Sequence, residues 1–489
     1  MKRYLSILLL VIVTLPACEE ALEEQALDFI ESGNFYRNEE DMIAAVNGVY
    51  DGYSDASLFG RRLPTMVELA ADVATIHRNP TFLALDQFSY APNQEHIGIV
   101  WNGFYTVINR ANTVIDQAKA IPEDILSTSS RDPILAEAYF LRALAYFYLV
   151  RLYGDVPLQQ SETIGLNAVS LPRTPASTVY ESIIEDAQFA EASLSISPEG
   201  VNYGRASSLA ATTLLADVYL TLEDWEMAAF KAQQVIEASV HALQPNFPNV
   251  FSISNEANNP EDIFSIRYLT NLSGTFWPAW LHAGNNINSS AGFQVVQVDT
   301  ESRLWKEWDE RDLRRDFSVY TTYLSDNGDT LNVLTQNRPY PAFGKFNDPA
   351  ANAGSGSHGS DFPVYRYSEV LLIKAEALSM INGGPTSEAY EAINQVRRRA
   401  YGLPIEEPTT VDLSGLDATS FRQAVLDERM FEFVAEAKRW FDLVRSGTLE
   451  TELQAIGKAV QPYHRLFPVP QAEIMANSEI SANDQNTGY

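Results

Sequence analysis

The chain of 489 residues is poor in side chains that hold metal ions or form cross-links. Cys18 is the only cysteine, so no disulfide can form within the chain and no cysteine-based zinc site is expected. The six histidines are scattered, and none is paired at the spacing of zinc ligands: residues 77, 96, 241, 282, 358 and 464. We therefore predict neither a metal centre nor a bound cofactor.

Basic residues are also scarce relative to acidic ones. The 34 lysines and arginines are outnumbered by 64 aspartates and glutamates, which gives a formal net charge of −30. Nucleic acids, anionic polymers and anionic lipids would be repelled at long range, so none is expected as the main partner. Neutral and cationic ligands stay open, although surface carboxylates also serve solubility alone. With 46% hydrophobic residues, the chain can form a large globular core.

The apolar run at residues 5–15 is too short to span a bilayer. It follows a basic start and leads to Leu-Pro-Ala-Cys, whose last residue is Cys18, which is the order of an export signal. This junction resembles the bacterial lipobox, in which the cysteine accepts a lipid before the signal is removed. We predict a signal peptide at residues 1–17, a lipid anchor on Cys18, a tether over residues 18–35 and no later membrane-spanning segment.

Small and large apolar residues recur at spacings of three and four along residues 136–158, for example at Ala138 and Leu141. This spacing places them on one stripe of a helix, where the small residues allow a second helix to approach closely. Gly154 and Pro157 end the pattern, because glycine can adopt the left-handed cap conformation and proline cannot continue a helix. We predict a helix that packs on other helices.

Helical periodicity recurs along most of the chain. Residues 209–222 and 225–238 flank a short turn and match the small-residue and aromatic spacing of tetratricopeptide helical pairs. Further helices are predicted at residues 41–53, 66–74, 101–115, 177–194, 369–380 and 386–400. The expected fold is therefore mainly α, with a tetratricopeptide-like scaffold of helical pairs.

Residues 244–362 differ from this pattern, because they are rich in Asn, Gly and Pro and contain only short strand-like pieces such as residues 294–298. We predict a large irregular, loop-rich insertion here, with the helical scaffold at residues 36–243 and 363–489 and all of it in one domain, 36–489. The segment also holds four of the seven tryptophans: Trp277, Trp280, Trp305 and Trp308.

Residues 421–447 carry acidic and basic side chains at helical spacing. Such spacing allows ion pairs between residues three or four apart, each worth about 0.2–0.5 kcal/mol when exposed. We interpret this segment as one charged, partly buried structural helix and not as a catalytic element.

Two patterns that are typical of enzymes lack their context. Residues 354–359 contain Gly-x-Gly-x-x-Gly, but no strand precedes them and Pro363 follows, so we expect a loop and not a dinucleotide site. Ser357, His358 and Asp361 lie too close together in the sequence to be expected in the geometry of a catalytic triad. We predict that the protein is not an enzyme.

Several segments resemble one known family. RALAYFYLVRLYGDVPL, at residues 142–158, resembles the signature helix of the SusD/RagB family of outer-membrane nutrient-uptake lipoproteins. WNGFYTVINRANTVI at residues 101–115 and the ending LFPVPQAEIMANSEISANDQNTGY at residues 466–489 are similar to the same family. The resemblance implies a surface lipoprotein of the outer membrane that captures a glycan or oligosaccharide and passes it to a SusC-like TonB-dependent barrel.

Aromatic residues in a turn-rich span suggest where a glycan would bind. Tyr268, Trp277 and Trp280 are followed by Asn285, and aromatic faces pack against sugar rings while amides hydrogen-bond to hydroxyls. The alternative is that these tryptophans fill the core beneath the loops, since tryptophan is usually well buried.

The family resemblance adds a second source of contacts. It implies an exposed aromatic platform that also includes the loop after the Glu68-x-x-x-Asp72 segment. On that basis His77, Arg78 and Tyr90 join the candidate ligand contacts.

Two other functions stay open at this point. A helical-repeat adaptor would bind peptide or protein on a concave helical surface. A surface glycoside hydrolase would need a pair of carboxylates, and among 64 acidic residues some pair will suit that role in any fold.

Overall fold

The computed structural model describes residues 36–489 apart from 78, 164–169, 199, 285, 288, 290–291, 336–339 and 353–355. The predicted signal peptide, the lipidation site Cys18 and the tether lie outside these residues, as do the candidate contacts Arg78 and Asn285. Long helices dominate the described chain and strands are short, so the predicted mainly α fold is confirmed.

The described helices are α1 Glu39–Ser54, α2 Arg62–Leu69, α3 Pro80–Asp86, α4 Glu95–Ala120, α5 Thr128–Tyr153, α6 Ala176–Ser193, α7 Ser208–Thr221, α8 Trp225–Glu237, α9 Trp277–Leu281, α10 Arg303–Glu307, α11 Leu313–Ser318, α12 Tyr367–Ile381, α13 Ser387–Ala400, α14 Ala418–Glu432, α15 Arg439–Ser446, α16 Leu449–Ala455 and α17 Gln471–Ala476. The described strands are β1 Ala74–Ile76, β2 Val156–Pro157, β3 Arg173–Thr174, β4 Asp262–Ile266, β5 Val296–Val298, β6 Val319–Tyr320, β7 Thr322–Leu324, β8 Thr330–Asn332, β9 Ala342–Phe343 and β10 Phe362–Arg366.

Helix α5 is buried around its whole circumference, so the prediction of a single apolar stripe is wrong. Ala143, Leu144, Ala145 and Tyr146 follow one another in steps of about 100° around the helix, yet each is at most 1% exposed. The reason is that α1, α4 and α6 all pack against α5. By length and composition α5 could cross a membrane, but 89% of its apolar window is buried inside the protein, as in a core helix.

The end of α5 lies at Gly154, as the sequence predicts. Gly154 has φ 74° and ψ −126°, so its φ is positive but its ψ lies outside the left-handed helical region. A Cβ atom at this position would come within 2.9 Å of the Leu466 side chain, which favours glycine for a second reason.

Neighbouring helices stack in one row, which confirms the tetratricopeptide-like scaffold. Helix α4 packs on α5, α5 on α6, α6 on α7 and α7 on α8. The row continues from α8 to α12 and α13, although residues 238–366 separate α8 from α12 in the sequence. The irregular part of the chain therefore leaves the row after α8 and returns to it at α12.

Short antiparallel strand pairs hold the irregular segment to the scaffold. Strand β4, near its start, pairs with β10 at its end, with Ile266 opposite Phe362. Strand β5 pairs with β1, which follows scaffold helix α2, and Ile76 lies opposite Val296. Strand β6 pairs with β9, and β7 with β8. The strand predicted at residues 294–298 is present as β5.

The single helix predicted over residues 421–447 is wrong, because α14 and α15 are separated by a break. Ala435 and Ala437 in this break have φ values of 65° and 56°, a conformation that costs L-residues roughly 1–2 kcal/mol each. Two distant groups hold it: the Ala437 N–H donates to Glu68 Oε1 at 2.7 Å, and the Ala435 carbonyl accepts from Trp277 Nε1 at 3.0 Å.

Charged residues of this segment pair chiefly with distant elements, although their spacing also allows local pairs. Glu432 accepts hydrogen bonds from three guanidinium groups of other elements, and Glu436 accepts from an arginine and a lysine. These side chains are at most 2% exposed. We call this cluster the ionic core; it comprises Glu261, Arg314, Lys345, Arg366, Arg399, Glu432 and Glu436.

Candidate functional site

The two tryptophans expected to stack on a ligand are core residues. Trp277 is 1% exposed, and its indole N–H is bonded to the Ala435 carbonyl. Trp280 is 9% exposed; its ring meets the edge of Phe82 with centroids 5.2 Å apart, and the Arg61 guanidinium lies 5.4 Å from the ring centre. Neither ring has a free face for a sugar, so the expectation of an exposed platform at these two residues is corrected.

The two candidate tyrosines are also buried. Tyr268 is 4% exposed, and its backbone N–H donates to Asp361 Oδ1 at 2.9 Å. Tyr90 is 7% exposed and packs among other aromatic rings, with His464 at 5.3 Å and Phe467 at 5.6 Å between centroids. Burial raises the pKa of both phenols well above the usual value, as expected for rings enclosed in the core.

His77 is the exposed member of the candidate set that the structure describes. It follows β1 directly, and its ring lies 6.3 Å from that of Tyr340 between centroids. The structure therefore does not bring the candidate residues together on one surface. Ligand contact by His77 stays a prediction.

Two further aromatic residues, the exposed Phe293 and the half-buried Tyr340, lie in chain segments next to His77. In the β1–β5 pair Ile76 lies opposite Val296, which places the chain before β5 alongside His77. Phe293 in that stretch is 40% exposed, and the next residue, Gln294, donates from its side-chain amide to the Tyr340 carbonyl at 2.9 Å. The strand register and the Gln294 bond thus place His77, Phe293 and Tyr340 in neighbouring loops, and we call this group of three residues the aromatic edge.

The polar groups beneath the aromatic edge are buried and hydrogen-bonded within the protein. Gln294 has a φ of 46°, and its backbone N–H donates to the His282 carbonyl at 2.8 Å. His282 is buried, and desolvation lowers its pKa to about 4, so it is neutral at physiological pH. The chain beneath the edge is thus held by this backbone hydrogen bond, and no charge is buried on this histidine.

The motif Ser357, His358 and Asp361 does not form a catalytic triad. His358 lies 3.4 Å from Ser289 through Nε2, while Asp361 pairs with Arg267. The nearby glycines serve packing, since a Cβ atom on Gly359 would lie 2.3 Å from Thr270. Residues 353–355 of the glycine-rich stretch lie outside the described residues.

Glu256 and Asp361 form a carboxylate pair with raised pKa values, which is a property that glycoside hydrolases use in their acid catalyst. Burial and the neighbouring Asp361 raise the pKa of Glu256, and burial raises that of Asp361 against the opposing charge of Arg267. Both groups are already committed to structural bonds: the Asp361 N–H donates to Glu256 Oε1 at 3.0 Å, and Asp361 pairs with Arg267. The pair thereby secures the start of β10. Within the described residues, no group of three His, Cys, Asp or Glu side chains could hold a metal ion.

Comparison with known proteins places the chain in a family. Residues 279–489 match the SusD family, and residues 30–220 match a family described as starch-binding associating with outer membrane. SusD-like protein P2 of Formosa agariphila is 31% identical over 100% of both chains. The chain belongs to the SusD family. Its predicted membership is therefore confirmed.

Other SusD relatives agree in fold across most of the chain. The starch-binding protein SusD of Bacteroides thetaiotaomicron is 24% identical and matches over 83% of this chain and 81% of its own. A crystal structure of a SusD homolog from the same organism superposes with a TM-score of 0.82 at 24% identity, covering 94% of this chain and 98% of that one.

Sequence reasoning missed two members of the aromatic edge in this SusD-family chain. Phe293 and Tyr340 are single aromatic residues in short loops, without a periodic pattern that separates an exposed ring from a buried one. The signal that could have found them is position, because each lies within a few residues of a short strand, β5 or β9. The tryptophan-rich span was the stronger compositional signal, but it marked the core.

Proposed function

We propose that this SusD-family protein is a lipoprotein of the outer membrane, displayed on the cell surface, that captures a glycan without breaking bonds in it. We further propose that it passes the glycan to a SusC-like TonB-dependent transporter and that a lipid on Cys18 anchors it. One matched family is described as starch-binding associating with outer membrane, and the relative from Bacteroides thetaiotaomicron is named as a starch-binding protein. The lipobox-like junction at Cys18 supports the anchor.

The observation that carries glycan binding is the aromatic edge. Its rings come from separate loops, and Phe293 leaves 40% of its surface to solvent although it is a large apolar side chain. Exposed rings can pack against the C–H faces of a sugar, and the His77 imidazole can hydrogen-bond to its hydroxyls. The net charge of −30 favours a neutral glycan over an acidic one. Arg78 and Asn285 stay predicted contacts by sequence position.

The test is a glycan-array screen of the protein from residue 19 onward, followed by calorimetry on each glycan that binds. The variant His77→Ala, Tyr340→Ala removes two rings of the aromatic edge while leaving the core intact. We expect it to lose about tenfold in affinity for each ring that stacks on the sugar, which corresponds to about 1.4 kcal/mol per ring.

Phe230→Ala supplies the matched control for this experiment. Phe230 is 54% exposed on scaffold helix α8, so its removal deletes an exposed ring of similar size away from the aromatic edge. The control should bind as tightly as the parent protein. Equal affinity of the parent and the double variant would refute the site, and a folded parent that binds peptides but no glycan would refute the function.

A further inference from the structure

A separate cavity lies in the irregular segment at the junction of α10, α11 and β6. Its volume is about 320 Å³, which is at the small end of the range of about 300–1,000 Å³ for ligand pockets and suits one sugar unit. It is lined by Trp305, Arg315, Asp316, Val319, Tyr320, Thr321 and Thr322. We call it the Trp305 cavity.

Trp305 differs from the three other tryptophans of the irregular segment. Trp277, Trp280 and Trp308 are at most 9% exposed, whereas Trp305 is half-buried and faces the cavity. Trp308 also donates its indole N–H to Asp312 at 2.9 Å. No hydrogen-bond acceptor for the Trp305 indole and no stacked ring on it is found in the described part of the chain. A half-buried tryptophan at a cavity wall, with no ring stacked on it, can pack against the apolar C–H face of a sugar ring.

The cavity is also lined by a guanidinium group, that of Arg315, whose hydrogen-bond donors are not all in use. The Arg315 guanidinium is 3.9 Å from the carboxylates of Glu310 and Asp316, and both carboxylates are 87% exposed. These contacts are longer than hydrogen bonds, so the guanidinium keeps N–H groups for a ligand. Its neighbour Arg314 is the opposite case, because it is buried and ion-paired with Asp312 and Glu432.

We propose that the Trp305 cavity is a second carbohydrate subsite, which takes one neutral sugar unit. The ring face of the sugar packs on Trp305, while Arg315 and Thr321 donate to its hydroxyls and Asp316 accepts from them. Asp316 at the rim and the net charge of −30 oppose an acidic sugar, and Arg315 opposes an amino sugar that carries a positive charge.

This inference rests on the proposed function, since it extends the same glycan-binding surface. In the β6–β9 pair Tyr320 lies opposite Ala342. Because the strands are antiparallel, Thr322 after β6 and Tyr340 before β9 lie at the same end of the pair. The Trp305 cavity and the aromatic edge therefore share one end of this strand pair, and a glycan chain that occupied both would bind more tightly than a single sugar unit.

Fluorine NMR on protein labelled with fluorotryptophan tests the subsite directly, with Trp305→Phe used to assign the Trp305 resonance. The probes are glucose, galactose, mannose and xylose, with glucuronate as the acidic comparison. We expect at least one neutral sugar to shift the Trp305 resonance saturably, and Arg315→Gln to weaken that binding about tenfold. The Trp225 resonance, from the half-buried tryptophan of scaffold helix α8, should not move.

Two results would overturn the subsite: no neutral sugar shifts the Trp305 resonance, or glucuronate shifts it more than any neutral sugar. The variant His77→Ala, Tyr340→Ala separates the two hypotheses, because it should keep the Trp305 response. A Trp305 response to a neutral sugar, together with unchanged glycan affinity in the variant His77→Ala, Tyr340→Ala, would refute the aromatic edge as the binding site and support the subsite. Array binding at the aromatic edge with a silent Trp305 would refute the subsite alone.

Discussion

The helical row and the irregular segment are held by different kinds of interaction. In the row, α5 and α7 bury alanine and leucine side chains against neighbouring helices, and Leu144 and Leu214 are fully buried. Where the irregular segment meets the row, apolar rings such as Phe264 are buried too, but a charged cluster is buried beside them. This ionic core joins residues as far apart in sequence as Glu261 and Glu432. Regular helices bury apolar faces, whereas an irregular chain must also satisfy polar groups that it carries inside.

The charges of the ionic core are expected to be fixed by their partners. Although burial opposes it, the guanidinium groups of Arg399, Arg366 and Arg314 hold the pKa of Glu432 well below its usual range. Glu432 is therefore ionised throughout the physiological range, whereas burial lowers the pKa of Lys345 in the same cluster to about 8. Such buried pairs often add little net stability compared with apolar residues, but breaking one leaves an uncompensated charge.

The largest expected effect comes from removing one guanidinium of the ionic core. Arg366 hydrogen-bonds to Glu261, Glu432 and Glu436, and it is 2% exposed. Arg366→Met would leave these carboxylates short of a cation, and we expect a loss of about 3–5 kcal/mol in the free energy of unfolding. Urea denaturation of the variant and the parent protein measures it.

Arg303→Met is the matched control for that prediction. Arg303 is 29% exposed and pairs with Asp427, Glu307 and Glu452, none of which is fully buried. Loss of such a pair should cost about 0–1 kcal/mol. Equal costs for the two variants would mean that the ionic core is no more important to stability than a surface pair.

The next expected effect is a pH dependence that originates at the break between α14 and α15. Burial raises the pKa of Glu68 to about 8, against about 4.3 for an unperturbed glutamate. Between these values the folded state keeps a proton that the unfolded state has lost, so this group makes stability fall as pH rises from about 4.3 to about 8. Glu68→Gln stays neutral and should lose less stability than the parent between pH 5 and pH 8.

Glu388→Gln serves as the control, because Glu388 is exposed on α13 and its replacement removes a carboxylate from the surface. Denaturant unfolding at several pH values compares the three proteins. If Glu68→Gln follows the same pH profile as the parent, the proton on Glu68 is not coupled to folding.

The same comparison explains what the sequence could predict. Helices of the row were predictable, because apolar spacing reports the burial that holds them: residues 225–238 were expected as a helix and α8 spans Trp225–Glu237. The break at Ala435 and Ala437 was not predictable, because alanine is a strong helix former and the groups that hold the break, Glu68 and Trp277, lie far away in the sequence.

The candidate site shows the same limit of prediction from sequence, here for the exposure of aromatic rings. Composition located the aromatic-rich segment, but exposure of a ring depends on what the rest of the fold places over it. Trp277 is covered and donates its indole N–H to the Ala435 carbonyl, while Phe293, sixteen residues later, is left 40% exposed. His77 was identified from the family resemblance, and its exposed position beside Tyr340 required the β1–β5 pairing.

The smallest expected effect is the loss of a single helix cap, which can be compared between the helical row and the irregular segment. Asp224 caps scaffold helix α8 by accepting a hydrogen bond from the Met227 N–H at 3.1 Å, and its side chain is exposed. Asp224→Ala should cost about 1 kcal/mol in the free energy of unfolding. The corresponding residue of the irregular segment is Asp312, which caps α11 while it is 3% exposed.

Asp312 has further roles, because its carboxylate also pairs with Arg314 and accepts the Trp308 indole N–H. Asp312→Ala removes the cap and leaves a buried guanidinium with fewer partners, so we expect a cost at least twice that of Asp224→Ala. Thermal and urea unfolding of both variants measure the two costs. Equal costs would show that a buried cap in the irregular segment contributes no more than an exposed one in the helical row, and the contrast between the regions would then rest on the guanidinium groups alone.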